Sequence, residues 1–109
     1  MANTFKNRTL WAVGTSPVDV GAVVASSTQT TLIGMTLANI TSGVINVTAT
    51  VNDGTNTTHI VKDAPIPTGG SLILLGGDQK VVLMTGDKVI VTSNTASSVD
   101  VIMSFLEIT

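Results

Sequence analysis

The chain has 109 residues, 43% of them hydrophobic but only 3% aromatic, with 11% charged, a formal net charge of -2 and no cysteine. Ordinary domains carry about 25% charged residues, so the side chains that build acid–base catalysis, polyanion binding or thiolate metal sites are scarce here. The length suits one domain, and an alphabet dominated by Val, Ile and Thr suits strands better than helices.

The chain opens Met1-Ala2-Asn3-Thr4-Phe5-Lys6-Asn7-Arg8 with no apolar run behind it, so no secretory signal is expected. Residues 1–12 read as an N-terminal arm or first strand, and residues 13–109 as a β-sandwich domain. Phe5 and Trp11 put two of the three aromatic residues in this polar, basic segment. It is either a strand closing the core or a docking segment. Residues 9–13 and 18–25 are short candidate strands around a Gly14-Thr15-Ser16-Pro17 turn.

Alternation predicts a strand over 31–40, with Ile33, Met35 and Leu37 on one face. A second alternating run, 44–51, places Ile45, Val47, Ala49 and Val51 opposite Asn46, Thr48 and Thr50. Asn52-Asp53-Gly54 tolerates positive φ and predicts a hairpin. Further strands are predicted over 58–61, 71–75, 80–84, 88–93 and 99–108, divided by Pro67-Thr68-Gly69-Gly70, Gly76-Gly77-Asp78, Thr85-Gly86-Asp87 and Asn94-Thr95-Ala96. In the last strand Val99, Val101, Met103 and Phe105 share one face. Its other face holds Asp100, Ile102, Ser104, Leu106 and Ile108 and is more apolar than water should prefer, which makes the strand a candidate for burial on both sides, in the fold's centre or against a partner. The expected fold is all-β, a single antiparallel β-sandwich, jelly-roll-like, with Ile33, Met35, Leu37, Val47, Val51, Val89, Val91, Val101 and Met103 in a thin aliphatic core.

The chemistry-bearing residues are few. His59 is the only histidine, lies mid-strand, and has no serine in a nucleophile-elbow pattern to act on, so it reads as an ordinary strand histidine. Asp53, Asp63, Asp78 and Asp87 fall at predicted turns, where a carboxylate caps backbone N–H groups. Asp53-Gly54-Thr55-Asn56 is the one oxygen-rich loop, and it lacks the spaced carboxylates of a calcium loop. Gly69-Gly70-Ser71 and Gly76-Gly77-Asp78-Gln79-Lys80 precede strands, whereas a phosphate cradle needs a helix N-terminus. Sequons at Asn7, Asn39, Asn46 and Asn56 are expected by chance in a Thr-rich chain. No catalytic residue, cofactor or metal is expected. Nor is a nucleic-acid partner, since no basic cluster exceeds Lys6-Asn7-Arg8, or a membrane, since no apolar stretch nears the ~20 residues of a spanning helix.

The second half reads Ile60-Val61-Lys62-Asp63-Ala64-Pro65-Ile66-Pro67-Thr68-Gly69-Gly70-Ser71-Leu72, then Val82-Leu83-Met84-Thr85-Gly86-Asp87-Lys88-Val89, and closes Val99-Asp100-Val101-Ile102-Met103-Ser104-Phe105-Leu106-Glu107-Ile108. With a strand ending in Asn39 before it, this order over residues 30–109 resembles the small β-sandwich virion proteins of tailed bacteriophages, particularly those of marine and cyanobacterial phages. The resemblance implies a non-enzymatic structural part of the particle, assembled in the host cytoplasm. It would be a capsid decoration or cement protein, or a component of the tail or neck. It also implies a homo-oligomer, with a trimer favoured, whose partners are other copies and other virion proteins. The partner-binding residues expected are Phe5, Lys6, Arg8 and Trp11 of the N-terminal segment, with charges at the rim and aromatics as anchors, and Ile102, Leu106 and Ile108 of the last strand. The competing reading is a carbohydrate-binding, lectin-like β-sandwich module. Against it stands the shortage of aromatic platforms, Trp11 being the only tryptophan.

Overall fold

A computed structural model describes residues 2–75 and 80–109, and every regular element in it is a strand. In chain order these are β1 (Asn3–Val13), β2 (Val18–Val20), β3 (Gln29–Asn39), β4 (Ile45–Asn52), β5 (Thr57–Ile66), β6 (Ser71–Leu75), β7 (Val81–Leu83), β8 (Lys88–Ser93) and β9 (Val99–Ile108). They form two antiparallel sheets. The larger has the order β1-β9-β3-β6, with β7 also on β3, and the smaller has the order β2-β8-β4-β5. The chain therefore changes sheet at most connections. The exceptions are β6–β7, both in the larger sheet, and the β4–β5 hairpin, closed as predicted over Asn52-Asp53-Gly54, where Gly54 takes φ 96° and donates its N–H to Asn52 Oδ1 at 2.8 Å.

The two sheets pack their inner faces together as a β-sandwich. Leu32, Met35, Leu37, Val101, Met103 and Phe105 from the larger sheet meet Val47, Ala49, Val89, Val91 and Ile66 from the smaller. Alternation explains most of this, because every second residue of a strand faces inward. Seven of the nine predicted core residues are buried; Val51 is half-buried against the core. Ile33 needs correction. A bulge between Leu32 and Gly34 inserts one residue against β9, so Leu32 is fully buried and Ile33 is left half-buried. A period-2 reading cannot see an inserted residue.

Residues 3–13 form the first strand, paired with β9 from Asn3↔Ile108 to Leu10↔Val101 without a break in register. Ala2 and Thr109 extend that ladder, each donating its N–H to the other's carbonyl. The predicted strand 18–25 ends at Val20, and the predicted strand 58–61 continues through Pro65 to Ile66. Proline is tolerated there because β5 is an edge strand, with no neighbour beyond it. The Gly76-Gly77-Asp78 turn, and with it Asp78 and Gln79, lies outside the described residues.

One buried amide ties two loops together. Asn39, at the end of β3 and 4% exposed, donates from Nδ2 to the carbonyls of Gly43 (2.8 Å), Ile66 (2.9 Å) and Pro67 (3.2 Å). Its Oδ1 accepts from the Thr41 N–H and hydroxyl, both at 2.8 Å. A second buried group joins the ends of β8 and β9: the Ser98 hydroxyl donates to Thr95 O at 2.7 Å, leaving Ser93 to donate to Ser98 Oγ. Among the described residues no buried side-chain nitrogen or oxygen lacks a partner.

Candidate docking surface

Opposed residues in a ladder point to the same side of a sheet. Because Val101, Met103 and Phe105 face the core, their partners on β1, Leu10, Arg8 and Lys6, face inward, and Phe5, Asn7 and Thr9 face outward. The outer face of the larger sheet then falls into transverse rows. One row runs Phe5, Leu106, Thr31 and Val82; another runs Thr9, Ile102, Thr36 and Ile73. Between them Asn7, Ser104 and Gly34 make a line of small residues. A shallow groove of about 730 Å³ lies beside this line, with Phe5, Lys6, Asn7, Arg8, Ile33 and Ser104 among its walls.

The rows are apolar and open. Phe5 is 76% exposed, Ile73 69% and Ile102 55%, with Val82 also exposed and Leu106 and Ile108 half-buried. The rows just named contain no charged residue. Asp100, farther along β9, is occupied: its Oδ1 accepts the Ala12 N–H at 2.8 Å. The outer face of the smaller sheet contrasts with this. There Thr48, Thr50 and Asn52 of β4 stand opposite Thr92, Ile90 and Lys88 of β8, and Lys88 pairs with Asp19 at 3.5 Å.

The residues singled out in the sequence divide accordingly. Phe5, Ile102, Leu106 and Ile108 come together on the outer face. Lys6 and Arg8 line the groove beside Phe5, while strand alternation directs their side chains to the inward side of β1. There Lys6 pairs with Glu107 at 3.0 Å, and Arg8, exposed, has its side chain near Gly21 with no ion pair or hydrogen bond among the described residues. Trp11 stands apart on a bulge. The register slips between Leu10 and Val13, Ala12 takes φ 55°, and Trp11 is left 85% exposed. That left-handed alanine is held by its bond to Asp100, a conformation costing of order 1–3 kcal/mol when unsupported. Ile73, Val82 and Ile33 belong to the same apolar surface and are invisible to sequence reasoning, because the pairing of β6 and β7 with β3 brings the first two there and the β3 bulge the third.

The groups considered for catalysis and metal binding are dispersed. His59 is exposed on the edge strand β5, opposite Thr50. Asp53 accepts the N–H groups of Asn56 (2.7 Å) and Thr55 (2.9 Å), and these bonds hold its carboxyl below the ordinary carboxylate value. Asp87 caps its turn by accepting the Met84 N–H at 2.9 Å. Asp63 takes φ 50° at an irregularity of β5, its N–H donating to Thr48 Oγ1. Among the described residues no three His, Asp or Glu side chains gather as a metal site would require. No protein-family model matches the chain, and no curated protein matches it.

Proposed function

We propose that this protein is a non-enzymatic structural subunit of a bacteriophage particle that docks and self-associates through the outer face of its larger sheet. The observation that carries the docking role is the uncharged apolar surface around Ile102, Ile73, Phe5 and Leu106. Such a surface loses little on leaving water, whereas an unpaired charge would cost several kcal/mol. Its size suits the role. Four strand positions about 4.8 Å apart and roughly ten residues at about 3.3 Å each span on the order of 600 Å². Two such faces would bury about 1,200 Å², the lower end of specific interfaces. The sheet orders β1-β9-β3-β6 and β2-β8-β4-β5, with a change of sheet at most connections, support a jelly-roll winding. The virion setting and a trimeric state rest on the resemblance of residues 30–109, and closed symmetry would hide the apolar face.

Light scattering on the purified full chain, with and without Ile102→Lys, tests the self-association. Ile102 faces outward, so the variant should keep its circular dichroism spectrum while the oligomer falls to monomers. A wild-type chain that stays monomeric at high concentration refutes self-association, and absence of the chain from purified particles of the phage that encodes it refutes the virion role. One observation favours the alternative of a carbohydrate-binding module: the 85% exposed indole of Trp11 is a ready stacking platform. A glycan array with Trp11→Ala as control decides it.

A further inference from the structure

The four sheet edges are not equally protected. Among the described residues β2 has three residues, and β6 and β7 have five and three. On β5, Pro65 removes a donor and two register shifts break the ladder. Short edges, proline and bulges are the usual means by which a sheet avoids pairing with other chains. β1 has none of these over its first eight residues. From Asn3 to Leu10 its register with β9 is unbroken, residues 3–9 are exposed, and among the described residues no strand hydrogen-bonds to its other side. In an antiparallel strand every second residue directs its N–H and C=O away from the existing partner, so this edge offers a row of unpaired backbone groups.

Charge decides what can add there. In a two-fold pairing of β1 with another β1 centred on Asn7, Lys6 of each copy would stand opposite Arg8 of the other. Centring on Lys6 or on Arg8 sets each opposite itself. Like charges directly opposite are destabilising, so pairing centred on residues 6–8, the middle of the unbroken run, resists a second copy. The inward side of β1 carries Lys6, paired with Glu107, and Arg8, without an ion pair among the described residues; its outward side carries Phe5 and Thr9 beside the apolar rows. From these contrasts we infer that the free edge of β1 is a strand-addition site for an extended segment of a different protein, alternating acidic residues opposite Lys6 and Arg8 with apolar residues beside Phe5. Main-chain hydrogen bonds would supply the affinity and the alternating side chains the selectivity.

The test uses the isotope-labelled full chain and two synthetic eight-residue peptides, one alternating Glu with Val and the other alternating Lys with Val. The Glu peptide should slow amide exchange at alternate residues between Asn3 and Leu10. The Lys peptide should bind about tenfold more weakly, because two opposite-charge pairs become two like-charge pairs. Arg8→Glu, at an exposed position, should narrow or reverse that preference without unfolding the protein. The proposal is overturned if neither peptide protects β1, if both bind equally, or if protection falls on β5. Changes confined to Ile73 and Ile102 would likewise overturn it, and they would leave the outer face standing as a separate docking surface.

Discussion

Replacing Asn39 by Ala should cost about 3 kcal/mol, although no other side chain moves and the residue touches no proposed partner. The truncation deletes one amide from five hydrogen bonds. Some of the abandoned groups keep a second partner. The Gly43 carbonyl still accepts the Thr41 hydroxyl, and the Pro67 carbonyl still accepts the Gly70 N–H. The Ile66 carbonyl and the Thr41 N–H lose the Asn39 bond, and Asn39 is 4% exposed, so water replaces it poorly. Two such groups at about 1–3 kcal/mol each, less some relaxation, give the estimate. With about 2.1 cal/mol/K of unfolding entropy per residue, a chain of this length should melt about 13 °C lower. Asn39→Asp sharpens the test. It keeps an acceptor for Thr41 but turns a carboxylate oxygen toward three carbonyls, so at neutral pH it should be no more stable than the alanine variant. Lowering the pH should restore part of the loss as the carboxyl gains a proton to donate. Urea and thermal unfolding, followed by circular dichroism at one fixed protein concentration, measure both variants. If Asn39→Ala lies within 1 kcal/mol of wild type, or Asn39→Asp matches wild type at neutral pH, the amide is not the tie described.

Ser98→Val should destabilise the fold by about 1–3 kcal/mol, since the buried Ser93 O–H loses its acceptor, keeping only the Thr95 N–H, and the Thr95 carbonyl loses its donor; Ser98→Ala, smaller but equally unable to hydrogen-bond, should lose a comparable amount by urea titration. Asp53 has a folded-state pKa depressed by the Asn56 and Thr55 N–H groups. Its contribution is therefore present above the unfolded value of 3.8 and fades as pH falls through the lower folded value. A carbon-13 titration of its carboxyl should find a midpoint below 3.8, and a midpoint at or above it would contradict the turn geometry. His59→Ala should leave melting temperature and oligomeric mass unchanged, because the imidazole is exposed on an edge; a change in either would show it to be a structural or interface group.

The strands were legible where alternation is unbroken. The run 44–51 anticipated β4 within a residue, and the last strand anticipated β9 with the correct inner face. Reading failed at Ile33 in β3, where a residue is inserted; similar irregularities, for which no facing was read, lie at Trp11 and Ala12 in β1 and around Ile60 and Val61 in β5. There the period of two that carries the signal is interrupted. The surface was half legible for a different reason. The apolar outer side of β9 could be read along one strand, but joining it to Ile73 and Val82 needs strand order, which is fixed by long-range pairing. The same alternation that revealed β9 also places Lys6 and Arg8 opposite Phe5. Treating the segment as an arm, without a face, obscured that.

The double hydrogen bond between Ala2 and Thr109 has a mechanical consequence. Both termini leave one corner of the larger sheet, at the same end of the β1–β9 ladder. Tension applied between residues 2 and 109 would act across that ladder and open it like a zipper, rung by rung from Asn3↔Ile108 toward Leu10↔Val101. Each rung yields separately, so little force is needed. Traction spread over the outer face would instead pull on Phe5, Ile102 and Ile73 together, across three strands at once. The sandwich is weak when pulled by its ends and strong when gripped by its face.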